Sequence, residues 1–146
     1  MIALIQRVAR AHVEVQGHAV GAIDRGILAL IGVETGDSPE IGTRLLEKML
    51  TYRIFPDEAG KMNLNLQQIG GGLLLVPQFT LVADTRKGTR PGFSRGATPD
   101  QARSLFEDLA AASRAAHSPV AAGVFGADMQ VHLVNDGPVT FSLHVT

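Results

Sequence analysis

Apolar residues recur along the chain at two spacings, interrupted by unbroken apolar runs, and each pattern predicts an element. Residues 2–8, Ile2-Ala3-Leu4-Ile5-Gln6-Arg7-Val8, read as a strand, and His12-Val13-Glu14-Val15-Gln16 alternates polar and apolar as a half-buried strand does. Gly17-His18 forms a turn, with Val20 to Ile23 returning from it. Ile27 to Val33 is apolar throughout, as expected of a central strand covered on both faces. The spacing then lengthens. Ile41, Leu45, Met49 and Tyr52 follow one another at helical intervals behind Ser38 as N-cap, Pro39 in the first helical position and Glu40 near the positive end of the dipole. A helix to about Arg53 is expected, closed by a turn at Pro56-Asp57-Glu58-Ala59-Gly60. Met62 to Leu66 reads as a short strand, and Gly70-Gly71-Gly72 leads into the next apolar run.

That run, Leu73 to Ala83, is a buried strand by its content and too short to span a membrane. Pro77 sits inside it, and a strand tolerates proline only at an edge, a bulge or an end. Regular pairing is therefore expected to lapse there, leaving the backbone N–H groups of Gln78, Phe79 and Thr80 free. Residues 84–97 are glycine-rich and aperiodic; a loop of that length in a compact domain is usually functional or disordered. Thr98 caps a second helix with Pro99 in first position and Gln101 completing a capping box. Its expected buried face is Ala102, Leu105, Phe106, Leu109, Ala112 and Ala116, and it stops at His117-Ser118-Pro119. Two alternating strands follow, Met129 to Val134 and Val139 to Val145, with an irregular Asn135-Asp136-Gly137-Pro138 between them. The prediction is an α+β fold: a mostly antiparallel, curled sheet with two helices packed on it, in one domain spanning 1–146.

Composition narrows the function without naming it. At 146 residues with 45% hydrophobic and 18% charged, the chain has enough apolar mass for one substantial core. A net charge of −1 means that any nucleic-acid contact comes from a local patch. There are no cysteines, hence no disulfide and no thiolate metal site, which fits a cytoplasmic location. The first residues lack the basic start of a signal peptide, and no membrane association is expected.

Candidate chemistry divides into several groups. Gly92-Phe93-Ser94-Arg95-Gly96 matches the G-x-S-x-G nucleophile elbow in letters, but loop precedes it and the helix cap comes only at Thr98. The five histidines show no H-x-H or H-E-x-x-H spacing, and His12, His132 and His144 fall at polar strand positions, so no metal is implied. Gly70-Gly71-Gly72 leads into a strand, whereas phosphate loops lead into a helix, so no cofactor is implied. Arg86, Lys87, Arg90 and Arg95 cluster within ten positions around Phe93. That is either a solvated loop or a phosphate-contacting surface with an aromatic ready to stack on an RNA base. Thr80 has no base beside it in sequence; its hydroxyl is better placed to orient a substrate or satisfy a neighbour.

Two stretches together resemble a known family. Pro77-Gln78-Phe79-Thr80-Leu81 is similar to the S-Q-F-T-L motif of the D-aminoacyl-tRNA deacylases, and Asn135-Asp136-Gly137-Pro138-Val139-Thr140 to their N-x-G-P-V-T motif. Met1 to Val8, Tyr52-Arg53-Ile54-Phe55, Lys61 to Asn65, Arg90-Pro91 and Ala127 to Val131 extend the likeness over the whole chain. The resemblance implies hydrolysis of the ester that joins a D-amino acid, or glycine on alanine tRNA, to the terminal adenosine. It implies a homodimer in which a Gly-cisPro pair, Gly137-Pro138, enters the partner's pocket, and a catalytic part for the tRNA's own 2′-OH. On this basis Gln78, Phe79 and Thr80 are expected at the reacting centre, with Pro77, Met129, Val139 and Thr140 around the pocket. Arg86, Lys87, Arg90 and Phe93 are the candidates for tRNA contact. The chain departs from the family pattern at Pro77, where serine is usual, so no serine role carries over. A serine esterase built on Ser94 and a non-catalytic dimer binding RNA ends are the alternatives.

Overall fold

In the computed structural model, which describes residues 1–146, strand β1 (Ile2–Val15) is the axis of the sheet. It is one strand rather than the two read at 2–8 and 12–16. It pairs antiparallel with β3 (Gly26–Gly32) through its first half, with β2 (His18–Ile23) through its second, and with β8 (Gln130–His144) along almost its full length. The β1–β8 register shifts between Gln6 and Val8 and again between Val8 and Arg10. Irregularities of this kind re-aim side chains. Before them, Ala3 and Ile5 join the larger core; after them, Ala11 and Val13 join Val8 in the smaller one.

The sheet is mostly antiparallel, as expected, with a parallel part at one side. β6 (Gly72–Pro77) runs parallel to β3, and β7 (Val120–Ala122), which the sequence pattern did not reveal, runs parallel to β6. Parallel neighbours need a crossover, and helices α1 (Pro39–Thr51) and α3 (Pro99–Ala116) lie in those two connections. β3 and β6 are consequently buried on both faces. Ile27, Ala29, Ile31, Leu73 and Leu75 pack with the helices, while Leu28, Leu74 and Val76 fill the smaller core on the opposite face. This is why both runs are apolar at every position. The strand order β2-β1-β3-β6-β7 curls until its ends meet: a Cβ on Gly21 of β2 would stand 2.9 Å from the Ala122 carbonyl oxygen of β7. Only glycine permits that approach.

Both long helices begin where their caps predict. Ser38 Oγ accepts the Ile41 N–H, and α1 buries Leu45, Leu46, Met49 and Leu50, with Tyr52 already extended. Thr98 Oγ1 accepts the Gln101 N–H at 3.4 Å, but no side-chain bond returns from Gln101, so the expected capping box is one-sided. In α3 the buried positions include Ala110 and Ser113, whereas Ala116 is exposed. Ser113 is tolerated inside because its hydroxyl donates to the Leu109 carbonyl at 2.7 Å. The expected strand over Met62 to Leu66 is shorter: β5 (Met62–Leu64) pairs with β4 (Phe55–Pro56). Asn65 then caps a single turn, α2 (Leu66–Ile69), in a reciprocal box with Gln68. The two C-terminal strands are one, β8, continuous through Gly137-Pro138. No helix is long and apolar enough to cross a membrane.

Candidate active site

β6 delivers the first motif. Its backbone groups alternate between its two neighbours: Leu73 N–H goes to Pro119 O on the β7 side, and Gln78 N–H goes to Ile31 O on the β3 side at 2.7 Å. The imino nitrogen of Pro77 therefore faces the β7 side, where pairing has stopped after Ala122. Proline costs no ladder bond there, as a strand end allows. The run does not continue as a strand to Ala83. Phe79–Val82 forms one 3₁₀ turn, closed by Leu81 N–H to Gln78 O and Ala83 N–H to Thr80 O. The expectation of free amides is corrected at Gln78, whose N–H is taken by Ile31. It stands at Phe79 and Thr80, which open the turn with no preceding carbonyl in place to accept them.

Next to this turn is a cavity of about 470 Å³. Pro77, Gln78, Phe79, Met129 and Val131 line it, with Ala97, Pro99 and Ala102 from the start of α3 and Phe125 to Ala127 from the chain before β8. Its lining is mostly apolar, with the Gln78 amide at one side. The Gln78 side chain donates to the Thr80 hydroxyl, so that hydroxyl is held by a neighbour rather than by a base. Phe79 is 63% exposed and Phe93 42%, and their ring centroids are 5.1 Å apart. The long loop therefore sets Phe93 against Phe79, which lines the cavity. Pocket residues Phe125, Ala97 and Ala102 carry no chemical signal in the sequence and were not anticipated.

The second motif lies elsewhere on the chain. The Gly137-Pro138 peptide is cis, and both residues are exposed. Gly137 has φ +143°, and a Cβ there would stand 2.7 Å from Val139 Cγ2 and 2.8 Å from Val139 N, which reserves the position for glycine. Side chains brace the segment from both flanks. Asn135 accepts the Val139 N–H at 2.9 Å and donates to the Thr140 hydroxyl at 2.9 Å, and Gln6 donates to the same hydroxyl at 3.3 Å. Arg7, nearly buried, donates to Asp136 O at 3.0 Å and to Ile54 O at 2.8 Å. Thus the structure brings Pro77, Gln78, Phe79 and Met129 together, while Gly137, Pro138, Val139 and Thr140 do not line that cavity in their own chain. Val139 packs on the larger core instead, and Thr140 is a bracing partner.

The basic loop is not uniformly free. Arg86 donates to both oxygens of Asp84, at 2.9 and 2.6 Å. These bonds hold the Asp84 carboxyl far below the usual carboxylate range and push Arg86 higher still. Lys87 and Arg90 are exposed without such a partner. Arg95 pairs with Glu34 at 3.0 Å. Glu34 also meets the Met1 ammonium at 3.2 Å and His144 Nε2 at 2.6 Å, and Asp37 takes the same ammonium at 2.7 Å. Burial alone would raise Glu34, but the bonds from His144 and the ammonium outweigh it and lower its pKa.

Ser94 lies in the turn Phe93–Gly96, closed by Gly96 N–H to Phe93 O at 3.1 Å, and not between a strand and a helix. It shares an open depression with His144 and Glu34 but makes no hydrogen bond to the imidazole. Glu34 holds His144 but shares its carboxylate with the ammonium and Arg95, and Ser94 neither reaches that imidazole nor stands between a strand and a helix, so the context a nucleophile elbow needs is absent.

A family profile described as D-Tyr-tRNA(Tyr) deacylase matches residues 4–144. The chain belongs to this family. The D-aminoacyl-tRNA deacylase of Ectopseudomonas mendocina is 61% identical over 142 residues, 97% of this chain and 98% of that one. That of Thioalkalivibrio sulfidiphilus is 61% identical over 145 residues, covering 99% and 97%. Among solved structures, the c-Myc DNA unwinding element binding protein superposes with a TM-score of 0.94 at 37% identity, over 99% of this chain and 98% of that one. A probable eukaryotic D-amino acid tRNA deacylase superposes with a TM-score of 0.81 over 97% and 98%; at 16% identity it speaks for the fold alone. The chain is accordingly a D-aminoacyl-tRNA deacylase, an ester hydrolase. For a deacylase, the cavity bounded by Pro77, Gln78, Phe79 and Met129 is the candidate active site.

Proposed function

We propose that the deacylase works as a homodimer in which each chain's Gly137-Pro138 completes the other's cavity. The observation that supports this most is the separation of the two motifs. A cavity with two unengaged amides at its edge and an exposed, braced Gly137-Pro138 segment occupy different parts of one chain. β8, which carries that segment, pairs only with β1 and exposes Val134 and Phe141 on either side of it. An unpaired strand edge with exposed apolar residues is a natural meeting surface for a second copy.

In this reading the carbonyl oxygens of Gly137 and Pro138 receive the substrate's ammonium group. The same rigid backbone occupies the space into which an L side chain would project. A D side chain, or the hydrogen of glycine carried by alanine tRNA, points away from it. Selection then works by rejecting one hand, which leaves the rest of the pocket indifferent to side-chain identity. Water adds to the ester carbonyl carbon, and the bond to the ribose oxygen breaks to release amino acid and tRNA. The terminal 2′-OH assists the attack, and the Phe79 and Thr80 amides face the oxyanion as it develops. Gln78 contributes through its side chain, since its N–H is engaged by Ile31. Phe79 and Phe93 offer a stacking surface for the terminal adenine, and Lys87 and Arg90 reach the phosphates. The place of action is the cytoplasm, where aminoacyl-tRNA is made and used.

The test is deacylation of D-Tyr-tRNA, L-Tyr-tRNA and Gly-tRNA(Ala) by the purified protein, each with the terminal 2′-OH intact or replaced by hydrogen. Loss of the D and glycyl esters, sparing of the L ester and dependence on the 2′-OH are expected. Hydrolysis indifferent to the 2′-OH would move the chemistry to a protein nucleophile. Binding without hydrolysis would leave an inert RNA-end-binding dimer.

A further inference from the structure

Away from the cavity, the β1–β8 ladder sets three metal-ligating side chains on one sheet face. His12 of β1 lies directly opposite His132 of β8, and Glu14 is two residues on from His12. Strand periodicity puts all three on the same side. We propose that His12, Glu14 and His132 bind a divalent first-row transition cation of the zinc class.

The donor atoms are already close to what such an ion requires. His12 Nε2 is 3.1 Å from Glu14 Oε1, and His132 Nε2 is 3.4 Å from Glu14 Oε2. The three ligand atoms all lie within 4.8 Å of one another. A tetrahedral zinc ion with bonds of about 2.0–2.2 Å separates its donors by roughly 3.3–3.6 Å, close to the two histidine–glutamate distances, which run to different oxygens of the one carboxylate. The remaining adjustment is between the imidazoles. They are stacked, with centroids 4.3 Å apart and an interplanar angle of 5°, and each must swing about its terminal torsion to aim Nε2 at a common point. That torsion is soft.

Two imidazoles and one carboxylate select zinc, copper or nickel over magnesium or calcium, which prefer all-oxygen shells. The ligands are accessible: His12, Glu14 and His132 side chains are 38%, 34% and 49% exposed. His12 and His132 open onto a groove that leaves the fourth position to water or an added ligand. Arg10 lines the same groove and opposes a cation, which weakens the affinity. Histidine spacing within one strand does not reveal this site, because the second histidine arrives across the ladder from residue 132.

The ion would cross-link β1 to β8 between Met129, which lines the cavity, and the Gly137-Pro138 segment. A ligand that binds only the folded state stabilises it by RT ln(1 + c/Kd) at free concentration c, so the melting temperature rises with ligand concentration. The experiment is calorimetric titration of the chelator-treated full chain with Zn²⁺, paired with melting curves, for wild type, His12→Asn, His132→Asn and the double variant. One Zn²⁺ per chain, or per pair of chains if the sites meet in the dimer, is expected, with a raised melting temperature and no response to Mg²⁺. Each single variant should weaken binding more than about tenfold, and the double variant should abolish it. Metal-free D-Tyr-tRNA deacylation should be unchanged in all variants, which shows that they are folded. No saturable binding by wild type, or undiminished binding by the double variant, would overturn the assignment; the latter would place the ion elsewhere.

Discussion

Arg7 donates to the Asp136 carbonyl oxygen at 3.0 Å and to the Ile54 carbonyl oxygen at 2.8 Å, so one guanidinium ties the residue before Gly137 to the chain that follows α1. The side chain is 12% exposed, so these bonds are formed largely out of water. Hydrogen bonds from a charged group contribute about 1.5–3 kcal/mol each when removed one at a time. Arg7→Met keeps the stem and deletes both. It should lower the melting temperature and reduce D-Tyr-tRNA turnover by about tenfold or more. Normal turnover with normal D/L discrimination would show that Gly137-Pro138 does not depend on Arg7 for its position.

Glu34 predicts an acid-side loss of stability. Burial disfavours its charge, but hydrogen bonds from His144 and the Met1 ammonium, with their positive charges, lower its pKa in the folded chain. A carboxyl with a depressed folded pKa stabilises the fold fully above its unfolded pKa and loses that contribution as pH falls through the folded value. Glu34→Gln should therefore flatten the acid limb of a melting-temperature profile while lowering stability at neutral pH. An acid limb identical to wild type would assign the pH dependence to other carboxylates.

The basic loop is expected to contribute unequally to RNA binding. Arg86 is neutralised locally by Asp84, whereas Lys87 and Arg90 have no such partner. Replacing Lys87 and Arg90 together with alanine should reduce the slope of log affinity against log salt by about 1.4, the value for two single-strand phosphate contacts. Arg86→Ala alone should change it by much less. A slope unchanged by all three replacements would put the RNA on another surface.

Ser94 is expected to be dispensable. It sits in a turn, and its hydroxyl makes no bond to His144 although both border the same depression. Ser94→Ala should retain deacylation near wild type. A fall of several orders of magnitude would restore the serine esterase.

Local chemistry made much of this protein legible in its sequence. Both long helices start at the predicted Ser38 and Thr98 caps, because capping depends on a few adjacent residues. β3 is the central strand its unbroken apolar run implies, and Pro77 stands at the end of β6, one of the places a strand tolerates proline. The motif letters around Gln78 and Gly137 also carried the family, since they are contiguous in the chain.

What the sequence could not fix are the relations between distant segments. Whether a short apolar run pairs parallel or antiparallel is set by the crossover that delivers it. β7 was therefore invisible, and with it the parallel part of the sheet. The fate of the Gln78 amide was decided by Ile31, far away in sequence, which reaches it only because β3 and β6 are neighbours. Arg7 reads as one polar residue in a strand until the fold sets Asp136 and Ile54 against it. His12 and His132 read as two solvated imidazoles until the ladder stacks them. Caps and strand ends follow from short-range sterics and hydrogen bonding, which sequence encodes residue by residue. Registers and shared faces come from packing the whole chain at once.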